Sequence, residues 1–402
     1  MENRDFIVFG LQPWDITIGS TCKYTAIEIS KKNRVLFVNP PLIRSSIIKY
    51  KNSSHVQKRL KILKGLEPDL IQVSPTLWVL YPKTVMESIN WIPNHSLFSF
   101  FNRINESRFS LKIMEAAKNL GFHDYVLLDD NSMIIGFYLK ELLKPRLFIY
   151  LLRDAVTLVP YHKKHGTLLE PLIIKKSDLT VTNSNFFCNF ALQYNPRSYM
   201  IGQGCDLSRY QDPDGKLPIP DEIQSIPHPV IGYTGALTTI RLNIEVLVYI
   251  AQNKPDWNLV LVGPEDDQFK QSELHQLKNV HFLGCKNPEG LPGYIKGFDV
   301  ALNPQIINQI TNVNYPLKID EYLAMGKPVV ASKTTFMDYF KDITYLAANK
   351  EEFVPCIEIA MKENSPSLEM KRKTIAKEHS WENFVEKIYS HALEIEQLKF
   401  NS

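Results

Sequence analysis

Tyr315-Pro-Leu-Lys-Ile-Asp-Glu-Tyr-Leu-Ala-Met-Gly-Lys-Pro-Val-Val330 is the stretch that decides how this chain folds. Pro316 opens a helix, and Lys318 and Glu321 follow within its first two turns. Gly326 ends the helix, Lys327-Pro328 turns the chain, and a β-branched strand begins at Val329. Proline suits the first helical position, where its missing N–H costs nothing. The free N–H groups of a helix start favour an anion, and Lys318 adds a full positive charge beside them. One turn on, Glu321 can accept hydrogen bonds from a pair of hydroxyls. Phosphate at a helix tip with a diol beside it is the chemistry of a nucleotide at a strand–loop–helix edge. An ordinary α/β crossover with a well-made cap accounts for the same letters, so the flanking sequence has to decide.

The flanks repeat one theme. Val230-Ile-Gly-Tyr-Thr-Gly235 reads as a strand leaving into a glycine turn, with a helix predicted over 242–253. Trp257-Asn-Leu-Val-Leu-Val-Gly263 is a buried strand, and 280–284 and 299–303 are shorter ones. The first half does the same. Asp5-Phe-Ile-Val-Phe-Gly10 is a strand, Gly19-Ser-Thr21 leads into a helix ending near Lys32-Asn33, and Arg34-Val-Leu-Phe-Val-Asn39 is the next strand. That order is a βαβ unit with parallel strands. Strands over 125–129, 147–152 and 179–182 end in polar residues, where open α/β sheets place their sites. Pro213, Pro218, Pro220, Pro227 and Pro229 lie between the two series, making 198–229 the candidate linker. In the tail, Trp381, Phe384, Val385, Ile388, Tyr389 and Leu393 recur at helical spacing.

With 402 residues, 44% apolar and 22% charged, the composition is that of a globular protein too long for one core. No signal-peptide pattern and no apolar run long enough to span a bilayer is visible. Cys22, Cys188, Cys205, Cys285 and Cys356 lack metal-like spacing and fit buried thiols in a reducing cytosol. A cytoplasmic location is therefore expected.

The net charge of +3 hides an asymmetry. Residues 1–205 hold 26 Lys and Arg against 16 Asp and Glu, whereas 206–402 hold 20 against 27. Arg44, Lys49, Lys51, Lys58, Arg59, Lys61 and Lys64 fall in a stretch with no acidic residue between Ile29 and Leu66. Such a segment, residues 42–64, suits the cytoplasmic face of an anionic membrane or a phosphorylated acceptor; a solvated face explains it as well. No aromatic-interleaved basic run accompanies it, so no nucleic-acid partner is expected.

The second half gathers the phosphate-binding features. Gly235 gives a tight strand exit where backbone can approach a pyrophosphate, and Arg241 can fork onto phosphate oxygens. Gly263 and Gly284 mark two more strand ends where a base can rest on main chain. In order and spacing, residues 230–237, 257–264, 280–284, 298–304 and 315–330 resemble the donor domain of GT-B glycosyltransferases. They look most like family-4-type enzymes and teichuronic-acid-type relatives.

The resemblance implies an α/β fold of two Rossmann-like domains facing a cleft, with a C-terminal helix crossing back onto the N-terminal domain. It divides the chain into an acceptor-binding domain, 1–205, a donor-binding domain, 206–379, and the last helix, 380–402. It also implies a nucleoside-diphosphate sugar as donor, with no metal and no cofactor. Carried over by position, Arg241 stands where the family has a phosphate-binding lysine, and Lys318 adds a contact to the diphosphate. Glu321 matches the carboxylate that holds the ribose hydroxyls. Gly19, Gly235, Gly263, Gly284 and Leu317 complete the donor set. Three positions depart from the pattern: Ala236 replaces an arginine, Val313 a glutamate that contacts the sugar, and Pro316 a glycine. Either Asn312 or Asn314 substitutes for that glutamate, or the sugar is gripped differently.

The first half is expected to supply the acceptor site and any base. Asp15, beside Trp14 in the first loop, and Asp154, after Arg153 at a strand end, are the candidates. A turn residue and an ion-paired carboxylate are the plain alternatives. His162 and His165 read as solvated residues of a lysine-rich loop. The function expected is transfer of a sugar to a glycan or lipid-linked acceptor in cell-surface polysaccharide synthesis. The alternatives are a nucleotide-sugar 2-epimerase and a non-catalytic sugar-nucleotide-binding subunit.

Overall fold

The apolar runs of the sequence are strands covered on both faces, as parallel sheets require. All six residues of Asp5–Gly10 and of Leu147–Leu152 are buried. The computed structural model describes residues 1–15, 20–309 and 311–400. The chain divides into two units, Met1–Gly204 with Trp381–Ser402, and Cys205–Ser380.

The first unit carries a small parallel pair, Leu42–Ile43 with Val85–Met86, and an eight-stranded sheet in the spatial order Ser198–Met200, Leu179–Thr182, Leu147–Leu152, Val126–Asp130, Asp5–Gly10, Arg34–Val38, Leu77–Leu80 and Leu70–Ser74. All neighbours are parallel except the last pair. Asp5–Gly10 is central: the chain builds outward from it on one side, then returns to build from Val126–Asp130 on the other. The second unit has six parallel strands in the order Val280–Gly284, Asn258–Val262, Val230–Thr234, Val300–Asn303, Val329–Ser332 and Tyr345–Ala347. In chain order that is 3-2-1-4-5-6, the Rossmann arrangement. Each sheet therefore has a point where strand order reverses, beside Asp5–Gly10 in one unit and beside Val230–Thr234 in the other.

The last helix, Trp381–Phe400, belongs to the first unit. Phe384, Val385, Ile388, Tyr389, Ala392 and Ile395 sit in its core. Trp381 stacks on Tyr24 at 5.4 Å, and Tyr389 hydroxyl accepts a bond from Asn33 Nδ2 at 2.7 Å. Leu393, expected on the apolar stripe, faces outward; Ala392 takes its place.

Several expectations need correction. The helix of the opening stretch runs Lys318–Ala324, two residues later than Pro316, which forms only a preceding 3₁₀-like turn (Ile319 N–H to Pro316 O, 2.9 Å). Its end is as read: Gly326 has φ +75°, and bonds from Gly326 N–H to Leu323 O and from Lys327 N–H to Tyr322 O close a Schellman motif. The proline-rich stretch is no free linker. Ser198–Met200 is an edge strand of the first unit, and Cys205, Leu207, Tyr210, Ile223 and Ile226 are buried in the core of the second. His162 and His165 lie on a helix, Pro160–Lys176, not in a loop. His165 is buried and stacked on Phe98 at 3.6 Å.

Candidate functional site

In the second unit, Gly235 ends the first strand with φ +133° and donates its N–H to Val262 O at 2.7 Å. Gly263 closes over it so tightly that a Cβ there would lie 1.8 Å from Gly235 O. A side chain at Gly263 would have to move backbone, and one at Gly235 would be strained by its φ and would displace the Lys318 ammonium. The loop beyond is pinned on two sides. Leu237 N–H bonds Pro264 O, and Asp266 accepts from Thr239 N–H at 2.7 Å. Asn243 N–H bonds Pro304 O, and Ile306 N–H bonds Arg241 O. The glycine loop is thus fixed at the strand-order reversal, where open α/β sheets bind ligands.

The helix of the opening stretch reaches the same place. Tyr322 is buried and its hydroxyl accepts Thr234 N–H at 3.0 Å, tying that helix to the strand end. Lys318 then projects its ammonium over the Tyr233 ring, 5.4 Å from the centroid. Nζ occupies the space that a Gly235 side chain would fill; a Cβ there would lie 2.1 Å from it. Glu321 follows one turn on. Burial raises its carboxyl above the usual range, against the opposing pull of Lys318 and of the Tyr210 hydroxyl. Arg241 is exposed on the loop, its side chain free of partners among the described residues, and its charge acts on buried Tyr233. Gly235, Gly263, Arg241, Lys318 and Glu321 are therefore brought together.

The other donor candidates are placed more loosely. Leu317 is 44% exposed just before the helix, and Gly284 lies on the edge strand, two strands from the reversal. Gly19 lies outside the described residues. Val313 is buried. Asn312 caps Thr335 N–H at 2.8 Å, whereas Asn314 Oδ1 is buried without a partner among the described residues.

At the reversal in the first unit the chemistry is different. Asp129 and Asp130, at the end of Val126–Asp130, are almost wholly buried. Burial pushes Asp129 up to about 8, against a bond from Ser132 N–H. Asp130 forms a two-pronged pair with Arg153, Nε to Oδ1 at 2.6 Å and Nη2 to Oδ2 at 3.2 Å. Asn131 Oδ1 accepts both Arg153 N–H and Asp154 N–H. Four atoms of this edge (Asp129 Oδ2, Asn131 Nδ2, Ser132 Oγ and Asn183 Oδ1) are buried without partners among the described residues. Two adjacent carboxylates at a strand end mark Asp129 and Asp130 in the sequence, where Asp15 and Asp154 are preferred to them as the base.

Asp154 is at the margin of this cluster, ion-paired with Arg153 and 44% exposed at its side chain. Asp15 is elsewhere. Burial alone would raise its carboxyl, but bonds from His55 and Lys58 outweigh it and hold it well below the usual range. The basic segment is largely committed inside the unit. Arg59 is buried, Arg44 pairs with Glu87 at 2.6 Å, Lys58 with Asp15 at 3.0 Å, and Lys61 with Glu67 at 3.6 Å.

The two units have the Rossmann-like architecture of GT-B glycosyltransferases. Solved structures agree along nearly the whole chain. Sucrose-phosphate synthase from Thermosynechococcus elongatus is similar with a TM-score of 0.66 at 14% identity, covering 98% of this chain and 99% of that one. Anabaena Alr3699/HepE in complex with UDP gives 0.65 at 14% identity, covering 97% and 100%. These likenesses speak for the fold. In sequence, residues 228–362, within the second unit, match the model of the family Glycosyl transferases group 1. The chain is also 32% identical over 105 residues to the putative teichuronic acid biosynthesis glycosyltransferase TuaH of Bacillus subtilis. That match spans only 26% of either protein.

Proposed function

We propose that this protein is a glycosyltransferase that moves a sugar from a nucleoside-diphosphate sugar to a glycan or lipid-linked acceptor in cell-surface polysaccharide synthesis. The observation that carries the reading is the Lys318 ammonium held over side-chain-free Gly235 at the strand-order reversal. A diphosphate placed there meets Lys318 and, from the exposed side, Arg241. We assign Glu321, one helical turn on, to the ribose hydroxyls. The family model over 228–362 and the UDP held by the Anabaena structural relative favour the same ligand class.

In the reaction, the bond from the anomeric carbon to the diphosphate oxygen breaks as one to the acceptor oxygen forms. The acceptor proton leaves to the diphosphate or to a base. Charge builds on the departing diphosphate, so Lys318 and Arg241 act where the transition state needs them. No metal and no cofactor is required by this scheme. Asp154, open on one side, is the base we favour; Asp15, held ionised by Lys58 and His55, is a poor proton acceptor and suits positioning. Membrane contact through residues 42–64 would rest on Lys49, Lys51 and Lys64.

The test is calorimetric titration with UDP, GDP, ADP and dTDP and their sugar derivatives, followed by nucleoside-diphosphate release with and without candidate acceptors. Binding of one diphosphate and acceptor-dependent release are expected. Acceptor-independent interconversion of the sugar nucleotide would establish the epimerase instead. Binding without either reaction would leave a carrier subunit.

A further inference from the structure

Helix His95–Asn119 is amphipathic in the wrong sense for a surface helix. Its inward face carries Asn102, Asn105, Glu106 and Ser110 among Phe98, Phe109 and Ile113. The polar groups are consumed there: Asn102 Nδ2 bonds Glu106 Oε1 and Ile134 O, both at 2.8 Å, and Tyr138 N–H bonds Glu106 Oε2 at 2.8 Å. The outward face carries Leu97, Phe100, Phe101, Ile104 and Leu111, exposed by 39–62%. Their spacing of three, four and seven makes them one stripe.

A second element extends it. Helix Pro160–Lys176 exposes Tyr161, Leu168 and Leu172. The two helices are stitched together at their starts. Asn90 Nδ2 bonds Tyr161 O at 2.6 Å, Lys164 Nζ bonds Trp91 O at 2.6 Å, and His165 faces Ile92 O at 3.0 Å. Trp91, between them, is 73% exposed. An ordinary monomer surface does not place so many large apolar groups side by side.

The charges around the stripe are predominantly positive. From Ser88 to Asn119 the acidic residues are Glu106, buried, and Glu115, exposed and paired with Lys112; from Ala155 to Ser177 there is Glu170, buried. The same segments carry Arg103, Arg108, Lys112, Lys163, Lys164, Lys175 and Lys176. An aromatic-rich stripe rimmed mainly by lysine and arginine, with Glu115 the exposed carboxylate of its helix and neutralised by Lys112 at 2.8 Å, complements the headgroup and acyl boundary of an anionic bilayer. No helix among the described residues is long and apolar enough to cross a membrane, so the fit is to the surface.

We infer that the first unit docks on an anionic lipid surface through the outward faces of His95–Asn119 and the start of Pro160–Lys176, with Trp91, Phe100 and Phe101 entering the interface. This face is distinct from residues 42–64, and it does not depend on the proposed chemistry. If the acceptor is lipid-linked, the same contact would bring the protein to it.

The experiment is flotation of the full chain with vesicles of phosphatidylcholine, alone or mixed with phosphatidylglycerol. Binding to the mixed vesicles only is expected. Trp91→Ser with Phe100→Ser and Phe101→Ser should weaken it about tenfold or more, and Lys163→Glu with Lys164→Glu should weaken it further at low salt. Lys49→Glu with Lys51→Glu should change it little. Thermal melting and nucleotide titration of each variant should match the parent, which keeps folding and donor chemistry separate from docking. Unchanged flotation of the triple variant, equal binding to pure phosphatidylcholine, or loss confined to the Lys49 and Lys51 variant would overturn the assignment. So would a dimer in sedimentation that the triple variant dissociates, without vesicle binding by the parent.

Discussion

The two sheets reverse strand order in the same way and put opposite chemistry at the reversal. In the second unit, two glycines clear a space that a lysine ammonium fills, and the exposed Arg241 has no side-chain partner among the described residues. In the first, two carboxyls are buried, and the one arginine present is spent on Asp130 and Asp154. One edge is open and cationic, fit for a diphosphate. The other is sealed, with spare neutral hydrogen-bonding atoms, and would repel one. Topology fixes where a site forms; the residues after each strand decide which ligand it takes.

The sharpest way to break this contrast is to close the open edge. Gly263→Ala should weaken nucleotide binding by more than about 100-fold, because its Cβ lands on the Gly235 carbonyl. Titration of the purified variant measures it. Lys318→Ala removes a charge-assisted contact and should cost about 10- to 100-fold in diphosphate affinity, with melting little changed. If affinity survives Lys318→Ala, the edge is not the cationic site described.

The sealed edge should respond in stability rather than affinity. A Cβ at Gly136 would lie 2.0 Å from Asp129 Oδ2, so Gly136→Ala should destabilise the first unit by about 1–3 kcal/mol. Urea unfolding should register the loss while nucleotide affinity stays constant. Asp129 tests the sealing itself. A carboxyl raised from 3.8 to about 8 favours the folded state most below pH 4, and that contribution is lost as pH rises toward 8. Asp129→Asn should flatten this slope in melting temperature against pH; an unchanged slope would mean the edge is hydrated.

The smallest effect on folding is expected at Asp154. It is half-exposed, and Arg153 keeps its two bonds to Asp130, so Asp154→Asn should change stability by less than about 1 kcal/mol. Turnover of the same variant should fall about 100-fold or more if the carboxylate takes the acceptor proton.

Much of the scaffold was legible because buried parallel strands are continuous apolar runs. Asp5–Gly10, Leu147–Leu152, Leu179–Thr182 and Val280–Gly284 have the bounds read from sequence. Leu70–Ser74 was not seen: it is a partly exposed antiparallel edge, and Gln72 and Val73 point out. Helix His95–Asn119 was missed because its pattern is inverted, with amides inward and phenylalanines outward. At the candidate site, Lys318 and Glu321 could be picked out by their place on one helix. The approach of Lys318 to Gly235, 83 positions away, and the sealing of Asp130 by Arg153 depend on tertiary packing that local spacing does not carry.

The last helix has a consequence for synthesis. Phe384, Ile388 and Tyr389 complete the core that Phe6, Ala26 and Ile29 begin, yet all of Cys205–Ser380 is made in between. At ~5–20 residues per second, that interval lasts roughly 10–35 s. The unit that starts first on the ribosome is therefore the one that finishes last. Its half-covered apolar face is the place where a nascent chain of this protein most needs a chaperone.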